Sequence, residues 1–212
     1  MLERTYTRHG SSLIVRLMSF VCLFFESYVA PCVELKTAKR DHVQQNQQTR
    51  FPRATRPLPL KLVTVGKDRG TAMESVALEY VKKIQRYCAF EEVQLRPNPK
   101  NSSDVSNQVS SEGERVMRSI STKDWVVLLD ERGKEMTSEK FADLIADAGE
   151  TGASAVVFCI GGPFGHGPQV RERANVSVKL STMVLNHQVA FLVLLEQIYR
   201  AWTILRGEKY HH

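Results

Sequence analysis

From residue 61 onward, short apolar runs alternate with amphipathic stretches. Lys61-Leu-Val-Thr-Val65 reads as a short strand closed by Gly66. Met73, Val76, Ala77, Tyr80, Val81 and Ile84 recur at helical spacing. Val93-Gln-Leu95 is a second short strand, and Pro97 to Ser103 a loop. Val105, Val109, Val116, Met117 and Ile120 mark a second helix, weakened by Gly113. Trp125-Val-Val-Leu-Leu129 reads as a buried strand ending at Asp130, before a turn at Arg132-Gly133. Thr137 or Ser138 caps a helix with the face Phe141, Leu144, Ile145 and Ala148, which Gly149 stops. Ala155 to Ile160 is another apolar strand, Pro168 opens a short helix, and Val178 to Leu185 is strand-like. Val189 to Leu205 is a long helix.

Strand and helix alternate five times. That pattern predicts an α/β layer fold with a mainly parallel sheet, in one domain from about residue 61 to 212. The 212 residues, 42% hydrophobic, are enough for one sizeable core. The last helix is apolar all round at Val189-Ala-Phe-Leu-Val-Leu-Leu195, which predicts burial on two sides, against its own sheet and a second subunit. A homodimer is the expectation.

Residues 1–60 differ in kind. They combine Arg4, Arg8 and Arg16 with serines, an apolar patch from Leu17 to Phe25, a Gln44–Gln48 polar tract and a proline-rich stretch. Such a segment builds no core alone and suits an organellar transit peptide plus linker, chloroplast before mitochondrion, with a secretory or untargeted (cytoplasmic) N-terminus as the rivals. It carries +5 of the net +6 charge; residues 61–212 carry +1. The folded part is therefore not a bulk-basic nucleic-acid binder, and any RNA contact comes from local patches. Cys22, Cys32, Cys88 and Cys159 show neither CxxC spacing nor zinc-type partners, so no metal site and no disulfide framework are expected.

The chemistry concentrates at Ala155-Val-Val-Phe-Cys-Ile-Gly161-Gly162-Pro163-Phe164-Gly165, a buried strand running into a glycine turn. Glycine lets a ligand approach bare backbone at the carboxyl end of a strand. The turn is not a phosphate-binding Walker loop, since no Gly-Lys-Ser/Thr follows, and its spacing is not that of the dinucleotide fingerprint. On spacing alone it is a ligand site or simply a tight strand-to-helix turn. His187, between the last strand-like segment and the long helix, is by itself more often structural than catalytic. Tyr210-His211-His212 closes the chain, where frayed residues are the rule.

Taken together, five ordered segments resemble the RlmH family of SPOUT (α/β-knot) RNA methyltransferases. They are Lys61–Gly66, Leu128-Leu-Asp-Glu-Arg-Gly-Lys134, Phe158-Cys-Ile-Gly-Gly-Pro163 with Gly165, Leu180-Ser-Thr-Met-Val-Leu-Asn-His187, and Leu195-Glu-Gln-Ile-Tyr-Arg-Ala-Trp202 with Lys209-Tyr-His211. The resemblance spans residues 61–212. It implies a Rossmann-like, mainly parallel sheet whose C-terminal part forms a trefoil knot, an exception to the rule against knots. It also implies S-adenosylmethionine as cofactor, a homodimer, and methylation of N3 of a pseudouridine in the large-subunit ribosomal RNA of assembled ribosomes.

Carried over residue by residue, Leu129, Gly161 and Gly162 would bind the cofactor. Leu180, Ser181, Thr182, Met183, Val184 and Leu185 would wrap its adenine. His187, Arg200 and His211 would be catalytic, and Arg200, Tyr210 and His211 would touch RNA. Two positions depart from the family: Asn186 stands where proline is usual, and Phe191 where arginine is frequent. These departures leave a second reading open, a relative that binds the ribosome or the cofactor without transferring methyl. A flavodoxin-like nucleotide-binding module is a third, which leaves the apolar last helix and the Tyr-His tail unexplained.

Overall fold

The computed structural model describes residues 55–67, 69–97 and 104–208. Strand and helix alternate as the pattern predicts: β1 (Leu60–Val65), α1 (Thr71–Ile84), β2 (Phe90–Leu95), α2 (Val105–Arg118), β3 (Trp125–Glu135), α3 (Ser138–Glu150), β4 (Val156–Ile160), α4 (Pro168–Arg173), β5 (Val176–Lys179) and α5 (His187–Arg206). The strands form one sheet in the order β2-β1-β4-β3-β5. All four neighbouring pairs are parallel. Parallel strands covered on both faces read as continuous apolar runs, and β4 is buried along its whole length.

Alternate residues of each strand feed two cores. Leu60, Leu62, Val127 and Phe158 face α1, α3 and α5. Val63, Val65, Val126, Leu128, Val157 and Cys159 face α2 and α4 through Val116 and Val170. Burial pushes the thiols up, Cys88 to about 11 and Cys159 to about 12, so both are neutral core groups. The packed chain reaches back to Leu58, upstream of residue 61, because Leu58 and Leu60 are both buried.

Three expectations change. β3 does not end at Asp130. Leu129 and Lys134 both pair with Val178, and Glu135 pairs with Lys179, so the strand bulges out over residues 130–133 and returns to β5. β5 ends at Lys179 instead of running to Leu185. There the Ser181 hydroxyl accepts from Met183 N (3.0 Å), a local turn that competes with the ladder. α5 lies between α1 and α3, and a single copy of the chain buries Phe191, Leu194, Leu195, Ile198 and Trp202 completely. Phe191 and Leu195 are thus covered within one copy, whereas Leu192 and Val193 are only half-buried and Val189 is exposed. Asn186 in turn is the N-cap of α5, its side chain accepting from Val189 N at 2.9 Å. The departure from proline thus supplies a cap.

Candidate functional site

The carboxyl ends of β1, β3, β4 and β5 open into a cleft of about 830 Å³. Ligands of open α/β sheets bind at this end of the strands. Leu129, Gly161, Gly162, Leu180, Ser181, Met183, Val184, Leu185 and His187 all line it, so among the described residues the sequence-predicted set converges with the exception of Thr182 and Arg200. A second hollow of about 490 Å³ lies at the opposite, amino ends of the strands, against Leu60, Phe90 and Asp124, and holds none of the candidate residues.

The glycine turn forms the floor. Gly165 has φ +82°, and its N–H donates to the Gly162 carbonyl at 2.9 Å, closing the turn. A Cβ on Gly161 would stand 2.8 Å from the Gly165 backbone. A Cβ on Gly162 would stand 2.8 Å from Glu112 Oε2 and 3.4 Å from Val65 Cγ1. Both glycines line the cleft, and the close packing beneath the floor leaves neither of them room for a Cβ without a neighbour shifting.

Two contacts that sequence reasoning missed hold this floor against β3. His166 is buried and its Nε2 lies 2.9 Å from the Leu129 carbonyl oxygen. Burial lowers its pKa against the help of that bond, so it is neutral and donates Nε2–H. The Asp130 carboxylate pairs with Arg171 at 2.5 Å, and Arg171 also donates to the His166 carbonyl at 3.3 Å. Burial raises the Asp130 pKa, but the Arg132 backbone N–H and the Arg171 guanidinium outweigh it and hold the carboxyl below its usual value. The only sequence signal for His166 is its place directly after the glycine turn.

Opposite the floor, residues 180–185 form a loop with Met183 and Val184 exposed by 74% and 83%. It leads to His187, the first residue of α5. The His187 ring packs on Gly66, with Cε1 2.9 Å from where a Cβ would stand. It bonds to the Val65 backbone. Its Nε2 is buried without a hydrogen-bond partner. The bonded nitrogen is therefore Nδ1, donating to the carbonyl, and the Nε2 lone pair is left over. Burial first, and then the Arg69 charge, lower its pKa, so the ring is neutral at pH 7. Arg69 was also missed. Its guanidinium lies 3.7 Å over the Phe191 ring and pairs with Glu74 (3.2 Å) and Glu92. A cation therefore sits at the position where the chain has phenylalanine, supplied from the β1–α1 loop.

Arg200 is not brought in. It lies on α5, 13 residues beyond His187, or about 20 Å along the axis at 1.5 Å per residue. Tyr210 and His211 lie outside the described residues. The chain before them is anchored: Gly207 caps α5 and Tyr87 Oη donates to Glu208 at 2.5 Å. Among the described residues no His/Cys/Asp/Glu group could hold a metal ion, and no helix is long and apolar enough to cross a membrane.

A family model described as "Predicted SPOUT methyltransferase" matches residues 58–211. The chain belongs to the SPOUT methyltransferase family. A protein of Arabidopsis thaliana provisionally named as an RNA methyltransferase is 53% identical over 159 residues, covering 75% of this chain and 82% of that protein. The ribosomal RNA large subunit methyltransferase H of Christiangramia forsetii is 39% identical over 157 residues, covering 73% of this chain and 99% of that protein. Among solved structures, the SpoU methyltransferase AviRb of Streptomyces viridochromogenes, in complex with AdoMet, is similar at a TM-score of 0.35 and 14% identity. That alignment covers 72% of this chain and 63% of the other, too slight a likeness to carry weight. The α/β-knot fold class, the methyltransferase class and S-adenosylmethionine as cofactor stand with the family. The cleft fits that cofactor on its own lining: a glycine turn on the floor, apolar Leu129, Leu180 and Leu185 on the walls, and Gly66 and His187 at one end.

Proposed function

We propose that this protein is an RNA methyltransferase that modifies N3 of a pseudouridine in large-subunit ribosomal RNA. The observation that carries the reading is the meeting of the Gly161-Gly162 floor, the loop residues Leu180, Ser181, Met183, Val184 and Leu185, and the His187 side chain at one cleft. The RNA class is supported by the names of the two relatives at 53% and 39% identity.

When bound, S-adenosylmethionine supplies an activated methyl group on a positive sulfur. Leu129, residues 180–185 and the Gly161-Gly162 turn would hold the cofactor, with Gly66 and His187 lining the same cleft at the end of β1. The target ring nitrogen carries a proton in its neutral form. His187, neutral and with Nε2 unshared, takes that proton, while its Nδ1–H bond to Val65 fixes the tautomer. Lys67 and Arg132 line the mouth and offer phosphate contacts beside Asp130 and Glu131.

Arg200, Tyr210 and His211 enter through a second copy of the chain. Arg200 stands about 20 Å from its own His187 along a straight helix. α5 spans about 30 Å between His187 and Arg206. A two-fold dimer that sets the far half of α5 against the partner's cleft assembles the whole catalytic set. Residues 1–60 direct the protein to an organelle, the chloroplast in the first instance. Mass spectrometry of organellar large-subunit RNA from cells with and without the protein tests the reading. A methylated pseudouridine present only in the first is expected, and identical nucleosides in both would rule it out.

A further inference from the structure

The loop between β1 and α1 buries a cation that the sequence reading did not use. Arg69 lies just before α1, and its side chain is 4% exposed. Its guanidinium carbon stands 3.7 Å from the centre of the Phe191 ring. Its Nε pairs with Glu74 of α1 at 3.2 Å, and its Nη2 pairs with Glu92 of β2. Phe191 follows His187 by four residues on α5, so the two rings share one face of the helix, a turn apart. His187 in turn packs on Gly66, at the start of the loop that carries Arg69.

Two carboxylates fix the guanidinium, and its flat face suits stacking on an aromatic ring. The start of α5 is thus held to this loop twice, at Gly66 through His187 and at Arg69 through Phe191. We infer that Arg69 is a positioning residue for His187: clamped between Phe191 and the Glu74 and Glu92 carboxylates, it seats the imidazole on Gly66 and sets a fixed positive charge near it. That charge reaches the ring, where it is the second cause, after burial, of a lowered pKa. Lys67, in the same loop, is exposed to solvent, and Glu74 and Glu92 are engaged by Arg69 itself. A nearby cation disfavours the protonated ring, so His187 stays ready to accept a proton at neutral pH. This inference rests on reading His187 as the proton acceptor of the cleft.

The test follows the His187 ring in the full chain by NMR titration, its signal identified by its loss in His187→Gln. Arg69→Met keeps cover over Phe191 and removes the charge, whereas Arg69→Lys keeps the charge. A double variant, Arg69→Met with Glu92→Gln, also removes the carboxylate that the single change leaves unpaired. The expected result is a rise of about half a pH unit or more in the His187 midpoint for both methionine variants, and a smaller one for Arg69→Lys. The acidic limb of methyl transfer to ribosomes should move up with it. An unmoved midpoint in a folded double variant makes Arg69 a structural clamp only and overturns the inference. Should both methionine variants fail to fold, Phe191→Leu decides. Loss of the stack is expected to raise the midpoint and slow transfer, and wild-type values of both would overturn the inference. If the midpoint moves as expected but the wild type transfers no methyl group, the placement of Arg69 stands and the reading of His187 as proton acceptor has failed.

Discussion

His166 Nε2 donates to the carbonyl oxygen of Leu129 across 2.9 Å, joining the residue after the glycine turn to β3 just before its bulge. The bond is buried, and it fixes the glycine turn against β3 where both line the cleft. His166→Ala leaves a buried carbonyl without its donor and opens a void. A loss of about 1–3 kcal/mol in stability is expected from denaturant unfolding. S-adenosylmethionine affinity should fall with it, since Leu129 is a wall of the site. Unchanged stability would mean that the contact is incidental.

Both cleft histidines have folded-state pKa values below the usual 6.5, chiefly through burial. The unfolded chain therefore binds more protons than the folded one as pH drops below about 6.5. Above that value neither state is protonated and the term vanishes. Stability should hold from pH 8 to 7 and fall steadily below about 6.5 until the lowered folded values are passed. Melting temperatures measured across pH 5–8 test the sign. Replacing both histidines with glutamine should flatten this part of the curve, and a wild type that gains stability on acidification would contradict the burial account.

The two floor glycines should differ. A methyl group on Gly161 meets backbone atoms of Gly165, which cannot retreat, whereas one on Gly162 meets the end of a glutamate side chain. Gly161→Ala is expected to cost about 1–3 kcal/mol and to abolish cofactor binding. Gly162→Ala should fold nearly normally and bind more weakly. Thermal melts and calorimetry on the pair separate them, with the reverse order counting against the described turn.

Much of this was legible in the sequence because the signals were local. Apolar runs and helical spacing give the ten elements in order, and Ile160-Gly161-Gly162 announces a strand ending in open backbone. The errors arose where tertiary contacts decide. Nothing near Asp130 tells that β3 bulges and resumes against Val178. The pattern of α5 does not reveal that α1 and α3 flank it and cover Phe191 and Leu195 within one copy. Arg69, Glu112 and His166 carry no motif. Arg69 reaches Phe191 from 122 positions earlier, and His166 reaches Leu129 from 37 positions later. The candidate catalytic residues came from resemblance, and of them His187 begins α5 while Arg200 lies 13 residues further along it.

That division makes a distinct prediction. His187→Ala and Arg200→Ala should each lower methyl transfer by about 100-fold or more, within the range for removing an acid–base or charge-stabilising group. If each site takes His187 from one copy and Arg200 from the other, a mixed dimer of the two variants contains one intact site. Equal co-expression should restore roughly a quarter of wild-type activity, with half the dimers mixed and one site active in each. No recovery would place both residues in one copy's site, or remove Arg200 from it.

The central claim is that this cleft moves a methyl group from S-adenosylmethionine to ribosomal RNA. The most direct measurement uses the purified protein, S-adenosylmethionine carrying a labelled methyl group, and assembled ribosomes or large subunits that lack the modification. The RNA is then digested and its nucleosides are weighed. The account predicts label in a single pseudouridine, methylated at N3, and none when His187→Ala replaces the wild type. Bound cofactor with no label in any nucleoside would contradict it, and would leave a protein that holds the methyl donor without using it.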